Sequence, residues 1–258
     1  MLKEIVIAIE GYFAAYRFML KNKLWKWIII PGIIYAILFV ISMYLFGSSA
    51  NNFIEWILRT THLNNWLQKI DSGLLAFLLT FDAIILWMVL MLFYFSLFKY
   101  LWLILCSPVF AYLSEKTEAI IEERELNFKW KQLWKDIRRG CFIAVRNALW
   151  QTVYTISILI LALIPVAGWI SPLIAIIVEC YYYGFSMLDY SAKRRNMNTY
   201  ESIYFIGTHK GLAIGNGIVF YLLHVMPIIG WILAPAYAVI AATLSMMRVK
   251  GTIVPQQV

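Results

Sequence analysis

The chain has 258 residues, 62% of them hydrophobic and only 14% charged, with a mean hydropathy of +0.75 and a formal net charge of +8. That much apolar surface exceeds what a soluble core of this length can hide, so a soluble globular domain is excluded and an integral membrane protein is indicated. The positive charge does not imply nucleic acid, because the basic residues are interleaved with Trp and Tyr beside apolar runs, as in segments at a membrane surface.

Residues 1–26 place Ile5, Ile9, Phe13 and Tyr16 at helical spacing, which predicts an amphipathic helix on the membrane surface. Residues 27–46 form a first span, and 47–72 a far-side connector with a second amphipathic stretch from Asn51 to Ile70. Residues 73–106 form a second span; at ~1.5 Å per residue they would run roughly 50 Å, beyond a hydrocarbon core of about 30 Å. A cytoplasmic helical extension follows at 114–146, with Ser114 as its expected N-cap.

Two similar passages interrupt the last third of the chain. They are Ile164-Pro165-Val166-Ala167-Gly168-Trp169-Ile170-Ser171-Pro172 and Met226-Pro227-Ile228-Ile229-Gly230-Trp231-Ile232-Leu233-Ala234-Pro235. Proline removes a backbone donor and clashes with the preceding turn, so each passage ends one helix and starts another. The flanking arms are short, and the last, Ala236 to Met247, would be only ~18 Å of helix. These lengths predict two re-entrant hairpins, at 147–188 and 212–247, separated by a basic cytoplasmic loop at 189–211. The alternative is a pair of ordinary hairpins with outside loops, but such loops normally carry polar turn residues, which these passages lack.

The expected architecture is therefore all-α, with two long transmembrane helices, two half-penetrating hairpins, amphipathic interfacial helices and a cytoplasmic helical extension. Nineteen Lys and Arg lie in the segments before the first span, in 114–146, in 189–210 and after Met247, against Arg59 and Lys69 in the far-side connector. The positive-inside rule then puts both termini in the cytoplasm.

At the hairpin tips Ser171-Pro172 and Ala234-Pro235 put proline where a first helical residue belongs, with Ser171 as a cap. Helix N-termini converging inside the bilayer would offer partial positive charge and free N–H groups to an anion. The tip residues of interest are Pro165, Gly168, Ser171, Pro172, Pro227, Gly230 and Pro235. Prolines that simply kink packed helices are the structural alternative. Gly211-x-x-x-Gly215 reads as a helix-packing face. Asp82, Lys99, Glu179 and His224 are ionisable groups near apolar runs: Lys99 can snorkel, Asp82 and Glu179 can lie in helix interfaces, and His224 can bond a carbonyl freed by Pro227. Cys106, Cys141 and Cys180 read as inert core thiols. No catalytic, metal-ligand or nucleotide motif is present, so neither an enzyme nor a cofactor is expected.

The chain resembles the CysZ-type sulfate permeases and their relatives in the etoposide-induced protein domain family. The resemblance is carried by Tyr12-Phe13, by Lys23-Leu24-Trp25-Lys26-Trp27 before Pro31, and by Ser107-Pro108-Val109-Phe110-Ala111-Tyr112-Leu113-Ser114-Glu115. Asp189-Tyr190 and the two proline-glycine passages complete it. It implies an oligomeric bacterial inner-membrane protein with two full spans and two half-penetrating hairpins, passing sulfate inward for cysteine synthesis. It also implies an anion site at a Gly-Leu-Arg-like stretch, matched here by Lys23, Leu24 and Trp25, followed by Lys26. Tryptophan offers one indole N–H where arginine offers a planar fork. Arg194, Arg195, His209 and Lys210 are candidates for a cytoplasmic anion vestibule.

The leading expectation is an inner-membrane permease or channel for sulfate or a related oxyanion, embedded in the lipid bilayer as a homo-oligomer. The competing expectation is a non-transporting membrane scaffold of the same fold.

Overall fold

Turn chemistry sets the first boundary in the chain. The computed structural model describes residues 1–60, 73–125, 130–162, 164, 167–249 and 251. Helix α1 (Leu2–Lys21) passes to α2 (Trp25–Thr60) through a turn in which Lys23 adopts φ 53° and the Leu24 N–H bonds the Met19 carbonyl at 3.2 Å. This is a Schellman ending, whose left-handed position usually holds glycine. There follow α3 (Gly73–Leu105), α4 (Ser107–Ile121), α5 (Trp130–Ala162), a 3-10 turn (Ala167–Ile170), α6 (Ser171–Arg194), α7 (Thr199–Thr208), α8 (Lys210–His224) and α9 (Ile229–Val249). The described residues contain no strand.

Five stretches are long and apolar enough to cross a membrane: Trp25–Ser49, Trp87–Leu105, Ile137–Ala162, Gly168–Arg194 and Ile229–Val249. Several boundaries differ from those expected of the sequence. Pro108 in the first turn starts α4 at Ser107, so Ser114 is a buried mid-helix residue facing Thr243 of α9 at 3.2 Å and caps nothing. Helix α5 continues unbroken through Arg146–Asn147, where the sequence reading divides an extension from a hairpin arm. Helix α2 runs on as far as Thr60, while residues 61–72 of the connector lie outside the described part. Pro235 lies inside α9, which therefore has 21 residues instead of the expected short arm. One lost backbone bond and the clash with the carbonyl four residues earlier do not end a helix that neighbouring helices hold in place.

Helix α1 does more than rest on a surface. Ala8, Gly11, Tyr12, Ala15, Phe18 and Met19 form its buried side, which packs on α8 and α9. Gly211 and Gly215 meet it through the Met1 carbonyl and Ile5 respectively, which realises the helix-packing role read from the sequence. The opposite side exposes Leu2, Val6, Phe13, Tyr16 and Leu20, an apolar stripe at steps of three, four and seven residues that suits a lipid surface.

The polar turns gather at one end of the bundle and the two proline-glycine tips point the other way, but to different depths. Trp169 at the first tip meets Phe81 of α3 edge-to-face at 4.9 Å, 24 residues before Leu105 and so ~36 Å along the helix. Trp231 and His224 at the second tip meet Phe39 of α2 at 5.0 and 4.8 Å. Phe39 is only ~21 Å along α2 from Trp25, with ~15 Å of the apolar run to Ser49 still beyond it.

Helices α6 and α8 approach until backbone touches backbone: a Cβ on Gly217 would lie 2.0 Å from the Cys180 carbonyl oxygen, and one on Gly184 would lie 1.9 Å from that of Ala213. Gly217→Ala is therefore expected to lower stability by about 1–3 kcal/mol or more through forced separation of the helices. Gly47, with nothing within 4 Å of an added Cβ, is the control: Gly47→Ala should stabilise α2 by roughly 0.5–1 kcal/mol. Thermal unfolding of both variants in detergent checks the opposite signs.

Candidate functional site

The apolar bundle encloses a charged centre. Lys99 of α3 and Glu179 of α6 are each 2% exposed, and Lys99 Nζ lies 3.0 Å from Glu179 Oε2. The same ammonium donates to Gln151 Oε1 of α5 at 3.0 Å, an oxygen that also accepts from Tyr100 Oη at 2.5 Å. Tyr221 Oη on α8 donates to the second carboxylate oxygen of Glu179 at 3.0 Å. Four helices thus meet on one ion pair. Lys99 does not snorkel, and Glu179 does lie in a helix interface.

Tyr221 belongs to the last turn of α8, so the network reaches the second hairpin tip. His224, one turn on, sits among Tyr35, Phe39 and Phe220 with ring centroids 5.6, 4.8 and 5.3 Å away. The indole N–H of Trp231 donates to the His224 carbonyl at 3.0 Å, which satisfies a backbone group near the break at Pro227. The sequence suggested the His224 side chain for that work. Asp82 has its side chain outside the described part.

The described tip residues meet different helices. Pro165 lies outside the described residues. Ser171 is the first residue of α6 and makes no capping bond; its buried hydroxyl has no hydrogen-bond partner among the described residues. The 3-10 turn before it leads the chain straight into α6, and Pro172 occupies the first turn. At the second tip Pro227 and Ile228 form the turn, Ile228 with φ 63°. The Gly230 and Ile232 N–H groups there bond the carbonyls of Met226 and Ile228. Gly168 and Gly230 share one role: an added Cβ would meet the Ala162 carbonyl oxygen at 2.8 Å and that of Leu223 at 1.9 Å, so each lets its hairpin close. The first tip meets α3 at Phe81 and the second meets α2 at Phe39.

At the polar end, Arg139 of α5 clamps Asp189 of α6, with Nη2 to Oδ1 at 2.8 Å and Nε to Oδ2 at 3.3 Å, while Nη1 donates to the Met197 carbonyl at 2.5 Å. Ser202 Oγ adds a bond to Asp189 Oδ1 at 2.6 Å, and Asn198 and Glu201 cap α7 reciprocally. This clamp holds open a cleft of about 730 Å³ lined by Lys135, Arg138, Arg139 and Lys193 together with Phe142, Asn196, Met197, Asn198 and Thr199. Among the described lining residues four are cationic and none is a carboxylate. Sequence reasoning missed this cluster, although Lys135, Arg138 and Arg139 stand at i, i+3 and i+4, one face of a helix.

The expected vestibule residues are dispersed. Arg194 binds Glu115 at 2.7 Å and Arg195 approaches Glu118 at 3.6 Å, in a network that Arg124 joins through Glu115 and Glu122, both at 2.8 Å. His209 stacks on Phe205 at the start of α8, and Lys210 is exposed beside a second cleft. At the α1–α2 turn Lys23 and Lys26 are exposed, Trp25 is half-buried and Leu24 is in the core. Among the described residues no group of His, Cys, Asp or Glu could hold a metal.

Five apolar helices, a buried ion pair and a basic cleft at one end define a multi-pass helical membrane protein. The chain matches the family described as "Sulfate transporter CysZ/Etoposide-induced protein 2.4" over residues 12–235 and belongs to it. It is 24% identical over 237 residues to the sulfate transporter CysZ of Pseudomonas syringae pv. tomato, covering 91% of this chain and 89% of that one. It is 23% identical over 238 residues to those of Pseudomonas paraeruginosa and Pseudomonas aeruginosa, covering 91% of this chain and 92% of each. The family is one of sulfate transporters and not of enzymes.

Two outcomes test this geometry. Removing one member of a buried pair leaves the other charge uncompensated, so Lys99→Met should cost about 3–5 kcal/mol, and adding Glu179→Met should recover most of it. A double-mutant cycle read by chemical unfolding in micelles measures the coupling. Burial, then the neighbouring Glu122, raises the Glu118 carboxyl above its usual range against the pull of Arg195 and Arg124. A raised folded value favours folding below the ordinary Glu range and loses that contribution as pH rises through the folded value. Glu118→Gln is thus expected to gain stability over the parent at pH 8, a gain that should vanish on acidification to pH 4.

Proposed function

We propose that this chain is a bacterial inner-membrane permease or channel for sulfate or a related oxyanion, supplying sulfur assimilation. The observation that carries this reading is the basic cleft, whose described lining includes Lys135 and Arg138 and which concentrates a divalent anion where the polar end of the bundle meets water. Family membership supports the solute class. In the proposed arrangement the termini and the cleft face the cytoplasm, as the distribution of Lys and Arg favours. The second hairpin stops part-way through the bilayer and carries its tip to the level of the Lys99–Glu179 network, whereas the first reaches much deeper. Lys23 and Lys26 stand at the polar rim and add positive charge at the mouth of the path. Exposed apolar side chains at the tips, including Trp169, Leu173, Val225 and Ile229, suit lipid or further copies in a homo-oligomer.

A scaffold reading is favoured by one feature, the Trp25 that stands where the resemblance implies arginine. Flux distinguishes the two. Purified protein in proteoliposomes should take up radiolabelled sulfate faster than empty vesicles do. Lys135→Gln with Arg138→Gln should raise the KM for sulfate severalfold at low ionic strength, an effect that salt erases. Uptake equal to that of empty vesicles across several lipid compositions would exclude the permease reading. Lys23→Gln with Lys26→Gln should lower flux while assembly persists.

A further inference from the structure

A second cleft, of about 400 Å³, opens beside α5, α6 and the start of α8, away from the basic one. Its lining has a clear order. Arg146 and Lys210 lie toward the polar end; Trp150 and Tyr154 follow Arg146 down α5 at one and two turns, ~6 and ~12 Å deeper. Tyr181, Tyr182, Val178 and Ile177 descend α6 in parallel, and Ile214 lies one turn below Lys210 on α8.

Arg146 is held in position without being neutralised. Its Nη1 donates to Asn147 Oδ1 at 3.0 Å, and its guanidinium lies 5.5 Å from the Phe185 ring centroid. Neither partner is a carboxylate. Below this charge the walls stay open, with Trp150 51%, Tyr154 48% and Ile177 53% exposed. A free oxyanion would be matched by the cationic head but not by the aromatic and aliphatic walls beneath it. An amphiphile is matched by both: phosphate between Arg146 and Lys210, glycerol and ester groups beside the tyrosines, an acyl chain along Trp150 and Ile177.

We propose that this cleft is a binding site for one anionic phospholipid, which seals the seam between α5 and α6 and anchors the start of the second hairpin at the membrane surface. The occupant follows from charge complementarity and from the graded polarity of the walls.

The test uses the full chain in detergent, titrated with dioleoylphosphatidylglycerol and followed by native mass spectrometry. One lipid per protomer should be retained, with phosphatidylcholine at the same concentration retained far less. Lys210→Gln, an exposed change, should weaken retention roughly five-fold, and Arg146→Gln with Lys210→Gln about 25-fold, as two lost lipid-facing charges imply. Far-UV circular dichroism identifies variants that fail to fold, and Lys210→Gln alone keeps the comparison valid if the pair does not fold. Acyl-brominated phosphatidylglycerol should quench a tryptophan component that disappears in Trp150→Phe. Equal retention by Lys210→Gln and the parent, equal retention of phosphatidylcholine, or displacement of the lipid by millimolar sulfate would each overturn the proposal. Absence of Trp150 quenching together with dimerisation through this face would do so too.

Discussion

Lys99 takes a positive charge into a shell of apolar helices, and the bundle is arranged so that Glu179 meets it. Each ion alone would carry a desolvation cost of several kcal/mol, and their attraction offsets this only when further hydrogen bonds complete the geometry. Gln151 and Tyr221 complete it, so α3, α5, α6 and α8 are held to one rotational and axial setting. An apolar interface of leucine and isoleucine could slide by a turn at modest cost; this one cannot. Tyr221 thereby fixes how deep the second hairpin sits, and the aromatic cluster around His224 closes over the end of it.

The duplicated proline-glycine passages show how far one local device is governed by its surroundings. Their glycines behave alike, each admitting the carbonyls of the preceding arm. Their tryptophans each meet a phenylalanine of another helix, Phe81 for Trp169 and Phe39 for Trp231, and Trp231 also donates to the His224 carbonyl of its own hairpin. The prolines differ, Pro172 lying at a helix start and Pro235 within a helix. Helix length is the cause, since α5 has 33 residues to carry the first tip outward and α8 only 15 for the second.

Basic residues at the polar end separate into two populations. Arg194, Arg195 and Arg124 are engaged by the glutamates of α4 and tie that helix to the end of α6. Lys135, Arg138, Arg139 and Lys193 line a cleft with no acid among its described walls, and Arg139 keeps that cleft in shape by binding Asp189. Positions adjacent in sequence can face different surroundings, because successive helical residues project about 100° apart. A run of charge in the sequence conceals that division.

Composition alone determined that this chain belongs in a bilayer, and its long continuous apolar runs that it is helical, because hydrocarbon admits only helices and closed barrels and barrel strands alternate apolar with polar residues. Its proline and glycine positions announced two hairpins, and its residue pattern announced its family. Gly211 and Gly215 were legible as a packing face because small residues at four-residue spacing have few other uses in apolar helices. The pairing of Lys99 with Glu179, 80 residues apart, was not legible, nor was the unequal depth of the tips or the burial of Ser114. Each depends on where a distant helix lies in space, which local spacing does not encode. The same holds for the function sought at the two Pro-x-x-Gly-Trp passages: their helix starts carry partial charge by local chemistry, but only tertiary packing decides what each tip meets, and here it brings Trp169 to α3 and Trp231 to α2.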